Sequence, residues 1–181
     1  MRVVGGVARG RALKSPPAAV RPTSDRVREA IFDALEARGA KFDKVLDAFA
    51  GSGALGIEAL SRGDGNCDFI ESNRKAAAVI RENLKLTGLS ERGRVHQFRV
   101  ELAPERLTEQ YSLIFADPPY DDDTAIASVE RLAESSLPGP KATLVLEHSS
   151  RSETPERLGR LRLDWSRRYG ATLVSMYGVA S

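Results

Sequence analysis

"VLDAFAGSGALGIEALSRG", residues 45–63, decides how this chain folds. Val45 and Leu46 begin an apolar run that reads as a buried strand over residues 44–49. Gly51, Gly53 and Gly56 follow, and residues 53–62 carry the apolar spacing of a helix. A strand that passes through glycines into a helix is the first half of a βαβ unit. "CDFIE", residues 67–71, is the next strand and completes it.

The alternation continues on both sides. Thr23, Ser24 or Asp25 can cap a helix whose face carries Val27, Ala30, Ile31, Ala34 and Leu35, with Gly39 ending it. Asn73 can cap a second helix, running to about Leu86, that buries Ala76, Val79, Ile80 and Leu84 before Gly88 stops it. Strands are expected at residues 94–100, 112–116 and 142–148, with a helix near 124–134 and a turn at 137–140. Residues 160–179 read as an antiparallel pair folded at Gly170. The class is therefore α/β, a mostly parallel sheet with helices on both faces and an antiparallel C-terminal pair. In such sheets ligands sit beyond the carboxyl ends of the strands.

Composition limits the partners. The chain has 181 residues, 41% hydrophobic and 29% charged, enough for one domain with a real core. Its apolar runs are too short for a membrane span, and the basic start lacks the apolar stretch of a signal peptide. Cys67 is the one cysteine, so an internal disulfide is impossible and a reducing cytoplasm is the expected home. Residues 1–28 carry seven Lys/Arg and one acid, while the remainder carries 20 basic and 24 acidic residues. A basic head on a mildly acidic body fits a polyanionic partner or a solubilising arm. Residues 1–22 are read as a basic extension, a hairpin and loop, and residues 23–181 as the main domain.

Gly51, Gly53 and Gly56 spell G-x-G-x-x-G, and Glu71 ends the second strand twenty residues after Gly51. Taken literally this is a dinucleotide site with the acid on a ribose. Asp47 argues for another cofactor. Its charge beside the helix start would oppose a pyrophosphate and favour a cationic ligand, and S-adenosylmethionine has a sulfonium, an ammonium and a ribose. A structural role for Asp47, holding loop amides, remains beside this one.

Asp117-Pro118-Pro119-Tyr120 ends the strand expected beside the first. Proline has no N–H and keeps the preceding residue extended. The Asp117 carboxylate and Pro118 carbonyl could therefore face a common point as an acceptor pair with few competing donors; the plainer alternative is a proline-terminated strand leading to a surface turn. That pair suits an exocyclic base amine, whose conjugated lone pair attacks poorly until its two N–H groups are drawn to one side. A carboxylate there also stabilises the positive charge that develops on nitrogen. Tyr120 offers a face on which the base can stack.

Together, "RVVGGVARGRALKSP", "RPTSDRVREAIFDAL", "VLDAFAGSGALGIEALSRG", "RKAAAVIREN" and "DPPY" resemble, in this order, the RsmD family. The resemblance implies a Rossmann-like class I methyltransferase with a seven-stranded sheet and an N-terminal extension. It also implies methylation of a guanine N2 amine in small-subunit (16S) ribosomal RNA, with S-adenosylmethionine as donor. Cofactor positions map onto Asp47, Phe49, Ala50, Gly51, Ser52, Gly53, Glu71 and Ser72, and catalytic ones onto Asp117, Pro118 and Tyr120. Arg9, Arg11, Arg21, Thr23 and Arg26 are expected to face RNA or shape the rim. No metal, membrane or obligate protein partner is expected. One departure is visible: Arg99 or Val100 stands where related enzymes often carry an acid for adenine, with Glu101 one step on.

An adenine-N6 DNA methyltransferase, an NAD-dependent oxidoreductase and a non-catalytic RNA-binding protein remain as alternatives. Cys67 reads as packing, and Trp165 as cover for the sheet edge. His96 and His148 lie on separate strands, away from a metal-site pattern. Asp121–Asp123 read as a solvated helix start.

Overall fold

Five parallel strands carry the centre of the sheet in the computed structural model, which describes residues 1–17, 23–119 and 123–179. They are β1 (Lys44–Ala48), β2 (Asn66–Ile70), β3 (Gly93–His96), β4 (Tyr111–Ala116) and β5 (Pro138–Ser149). β6 (Arg157–Leu158), β7 (Leu161–Tyr169) and β8 (Thr172–Val179) add an antiparallel end, in the order β3-β2-β1-β4-β5-β8-β7-β6. Among the described residues the sheet thus has eight strands, the eighth being the two-residue β6. The chain leaves β1 toward β2 on one side and returns to β4 on the other, so the switch point lies at the carboxyl ends of β1 and β4.

Strand alternation divides the core in two. Val45, Phe69, Phe115 and Val145 face one side, covered by α1 (Asp25–Ala37), α2 (Ala54–Arg62) and α3 (Arg74–Thr87). Leu46, Ile70, Ile114 and Leu146 face the other, covered by α4 (Ala103–Arg106) and α5 (Asp123–Glu134). Ser24 caps α1 by accepting the Val27 amide, and Asn73 caps α3 by accepting those of Lys75 and Ala76.

Four local expectations are corrected. β3 stops at His96 rather than at 100, and Val100–Leu102 form a 3₁₀ turn leading into α4. Phe98 and Val100 extend the apolar pattern past the sheet because they pack on the second core. The turn expected at 137–140 is instead the start of β5, where Pro138 pairs with Tyr111. A proline is tolerated there because the first residue of a strand can forgo its N–H. The buried face of α1 is Arg28, Ile31, Phe32 and Leu35, displaced from the expected stripe. β6 was not anticipated, being too short to show a period.

Residues 1–17 form a small hairpin with a bridge between Arg2 and Ala12, strapped across α2 and α3. Val3, Ala8 and Leu13 enter the first core. Glu58 of α2 accepts the Val4 and Gly5 amides at 2.8 and 2.7 Å. Ser61 accepts the Ala8 amide at 2.9 Å. Asn83 of α3 holds the Lys14 main chain at 2.8 and 2.9 Å and reaches the Ser52 carbonyl at 2.9 Å. Trp165 on β7 packs against the first core, with the Arg38 guanidinium 5.2 Å from its ring centre.

Candidate active site

A cleft of about 2050 Å³ opens where β1, β2, β4 and β5 end. The alternation that builds the first core also fills this cleft. Two residues beyond Val45, Phe69, Phe115 and Val145 stand Asp47, Glu71, Asp117 and Glu147. Each therefore projects to the α1–α3 side at the carboxyl edge, and all four line the cleft.

Two of these acids hold the glycine loop. Asp47 Oδ2 accepts the Gly56 amide at 2.8 Å, and Glu71 Oε2 accepts the Gly51 amide at 2.9 Å. Glu71 Oε1 also takes the Asn73 amide at 2.7 Å. Phe49, Gly51 and Gly53 have positive φ, at 59°, 56° and 78°. For Phe49, which lines the cleft, that is local backbone strain. A side chain on Gly51 would meet no atom within 4 Å, so this backbone faces open cleft, whereas one on Gly56 would lie 2.3 Å from the Phe69 ring.

The other two acids stand beside each other on paired strands, since Ala116 and Leu146, one residue earlier, are in register. Pro118 is buried and Asp117 half-buried, and both line the cleft. Glu147 is only 3% exposed. The Thr23 hydroxyl, just before α1, lies within hydrogen-bond distance of both Glu147 oxygens, at 2.9 and 3.0 Å, and favours the charged form of Asp117 beside them.

Crowded acids resist ionisation. Burial pushes Asp47 up to about 8, with Asp117 and Glu71 adding to the rise against the Gly56 bond. Burial likewise raises Asp117, which Thr23 opposes, and raises Glu147 further, with Asp117 and Asp47 adding. Arg28, fully buried on α1, is the cation that opposes the rise at Glu147. It is tied to Asp25 at 2.8 Å and lies 3.6 Å from Glu58.

The residues expected from sequence separate into four groups. Asp47, Phe49, Ala50, Gly51, Ser52, Glu71, Ser72, Asp117, Pro118, Thr23 and Arg26 line the one cleft. Gly53 sits behind it as the left-handed residue before α2. Arg9 and Arg11 are exposed on the hairpin and are not part of the lining; Arg11 donates to the Leu86 carbonyl at 2.8 Å. Arg21, Tyr120, Asp121 and Asp122 lie outside the described residues. Sequence reasoning missed Glu147 and the β7–β8 turn, which brings Arg167, Arg168 and Tyr169 to the rim. Glu147 had a partial signal, being an acid near the carboxyl end of an expected strand, as Asp47 and Asp117 are.

Two histidine contacts are structural. His96 Nε2 lies 2.7 Å from Asp68, which also accepts from Tyr111 at 2.8 Å, and His148 meets Ser175 at 3.0 Å. Cys67 is buried, and burial raises its thiol well above the usual range.

A family model described as "Conserved hypothetical protein 95" matches residues 1–178. YlbH of Bacillus subtilis, a putative rRNA methyltransferase by name, is 37% identical over 183 residues, 98% of this chain and 98% of its own. Ribosomal RNA small subunit methyltransferase D of Escherichia coli K12 is 32% identical over 92% of this chain and 81% of its own. A solved structure from Thermus thermophilus superposes with a TM-score of 0.85 at 35% identity, over 100% of this chain and 99% of that one. The chain belongs to the RsmD family of ribosomal RNA methyltransferases.

S-adenosylmethionine is the cofactor that this RsmD-family cleft fits. In a dinucleotide fold the loop and helix amides face a pyrophosphate. Here Asp47 and Glu71 already occupy the Gly56 and Gly51 amides, so the protein's own carboxylates stand in the anion's place. The acids instead leave room for a cationic ligand; burial, with Asp117 and Glu71 beside it, raises Asp47, so a cation there would favour its charged form.

Proposed function

We propose that the chain methylates the N2 amine of a guanine in small-subunit (16S) ribosomal RNA by direct transfer from S-adenosylmethionine. One observation carries this reading: Asp117 and Pro118 end the strand beside β1 and line the same cleft as the glycine loop and Glu71. The cofactor supplies an electrophilic methyl group. The ribonucleic acid substrate is supported by the name of the Escherichia coli relative.

Glu71, whose oxygens each hold one amide, keeps lone pairs for the ribose hydroxyls. Asp47 pairs with the cationic end. Phe98 and Val100 line the cleft and offer adenine an apolar wall, beside Glu101, which also lines it and pairs with Arg99. Asp117 and the Pro118 carbonyl accept from the two N–H groups of the target amine, which turns its lone pair toward the methyl carbon. The carboxylate then stabilises the charge that develops on nitrogen and is placed to take the proton that the methylated amine gives up. Alignment supplies the rest. Tyr120 is assigned the stacking role on its sequence position.

The rim gives RNA its phosphate contacts. Arg26, Arg167 and Arg168 border the cleft, and the exposed Arg9 and Arg11 extend the basic surface along the hairpin. The test is methyl transfer to RNA from unmodified small subunits, followed by nucleoside analysis. N2-methylguanosine is expected; N6-methyladenosine would reassign the amine, since the same acceptor pair serves either base.

A further inference from the structure

Glu147 takes no part in the mechanism above, yet it is a nearly inaccessible acid on the wall of the cleft. Its partner is Thr23, whose hydroxyl lies 2.9 and 3.0 Å from the two Glu147 oxygens; Asp117 stands beside Glu147 on the paired strand, where the same hydroxyl favours its charged form. Donor counting makes that arrangement incomplete. A threonine hydroxyl has one proton to give and lone pairs to receive. It can satisfy both acids at once only if one of them brings its own proton.

We propose that Glu147 is a positioning residue that keeps a proton and donates it to Thr23, so that Thr23 donates in turn to Asp117 and fixes that carboxylate toward the target amine. This rests on the methyl-transfer reading of Asp117. The chain runs Glu147 O–H to Thr23 Oγ, and Thr23 O–H to Asp117, with no net movement of protons. Glu147 is the member suited to hold the proton. It is the more deeply buried acid, and Asp117 and Asp47 crowd it from β4 and β1, with Arg28 of α1 as the opposing cation. Asp117 is then left ionised as an acceptor. A polarised chain of this kind strengthens its terminal bond.

The geometry also sets a pH limit. When Glu147 ionises, it competes for the Thr23 proton, and Asp117 loses its orienting donor. Turnover at saturating cofactor and RNA is therefore expected to fall on the alkaline side.

The experiment compares kcat against pH for wild type, Glu147→Ala, Glu147→Gln, Thr23→Val and Thr23→Ser. Glu147→Ala and Thr23→Val are expected to lower kcat roughly tenfold, about one hydrogen bond to a charged group, with little change in the KM for S-adenosylmethionine. Glu147→Gln, which can donate as the protonated acid does, is expected to recover most of that loss and to abolish the alkaline fall. Thr23→Ser is expected to recover it with the alkaline fall intact. A Glu147→Gln variant as impaired as Glu147→Ala, or one that keeps the alkaline fall, would overturn the proposal.

A second measurement is independent of turnover. In cofactor-free protein labelled with ¹³C at glutamate carboxyls, the signal lost in Glu147→Gln should titrate at about 8. Titration in the ordinary glutamate range sinks the inference even if the enzyme is active. If wild type transfers no methyl group to RNA while this titration stays high, the functional reading fails and the buried proton stands.

Discussion

The Asp47 carboxylate accepts the Gly56 amide at 2.8 Å, across the whole glycine loop. This bond joins the end of β1 to the first turn of α2, so the acid proposed to meet the cofactor also shapes the glycine loop. Its charge, however, is disfavoured in the cofactor-free protein. Unfolded, Asp47 ionises above about 3.8, whereas in the fold it stays neutral until about 8. A carboxyl raised in this way contributes stability below its unfolded pKa and loses it as pH rises through the folded one.

Asp47→Asn keeps the acceptor for Gly56 and removes the ionisation. The melting temperature of cofactor-free wild type should therefore fall more between pH 5 and pH 8 than that of Asp47→Asn. A difference of about 1 kcal/mol corresponds to roughly 2–4 °C at this chain length. S-adenosylmethionine should stabilise wild type more at pH 8 than at pH 6, and Asp47→Asn less at both. Thermal scans at these pH values check the sign; equal slopes would remove Asp47 as the responsible group.

Gly51 and Gly56 should respond differently to alanine. At Gly56 the new Cβ would lie 2.3 Å from the Phe69 ring and 2.7 Å from Cys67 Sγ. Overpacking of this kind costs about 1–3 kcal/mol, read as a lowered midpoint in urea. At Gly51 the Cβ meets nothing within 4 Å, although its φ is 56°. Gly51→Ala should cost about 1–2 kcal/mol from the left-handed backbone, and should weaken cofactor binding beyond what that loss explains.

Glu58 holds the N-terminal hairpin rather than substrate. It accepts two hairpin amides and pairs with Arg62 at 2.9 Å, beside the buried Arg28. Glu58→Ala leaves those charges and amides unmatched, at a cost of about 3–5 kcal/mol. Denaturant unfolding should show that loss, and limited proteolysis should cut within residues 1–17 where wild type resists.

Arg167 and Arg168 test the rim. Their double replacement by alanine should raise the Kd for RNA and leave cofactor affinity unchanged. It should also flatten the salt dependence of binding, by up to about 0.7 in the log–log slope for each phosphate no longer neutralised. The same measurement on Arg9→Ala/Arg11→Ala shows how far the RNA surface extends along the hairpin. An unchanged salt slope in Arg167→Ala/Arg168→Ala would place the phosphate-binding groups elsewhere.

Much of this site was legible because it follows from strand period and local motif. The glycine loop, Glu71 and Asp117-Pro118 each sit at the end of a strand that apolar runs mark clearly, and parallel alternation places those ends together. Glu147 escaped because its meaning is lateral: nothing near it in sequence shows that β5 lies beside β4, or that Thr23, 124 residues earlier, reaches it. Arg167 and Arg168 read as an ordinary hairpin until β8 folds them back over the cleft. The buried Arg28 shifted the face of α1 because Asp25 and Glu58 accommodate a charge that periodicity treats as solvent-facing.

The central claim is that Asp117 draws a guanine amine of ribosomal RNA to the bound methyl donor. The direct test incubates wild type and Asp117→Ala with methyl-labelled S-adenosylmethionine and unmodified small-subunit RNA, as naked RNA and as assembled subunits, and resolves the labelled nucleosides. Wild type is predicted to yield N2-methylguanosine. Asp117→Ala is predicted to lose roughly 10²-fold or more of that rate, the order of a transition-state electrostatic interaction, while binding the cofactor within a few-fold of wild type. Normal methylation by Asp117→Ala, or label in adenosine instead of guanosine, would contradict the account.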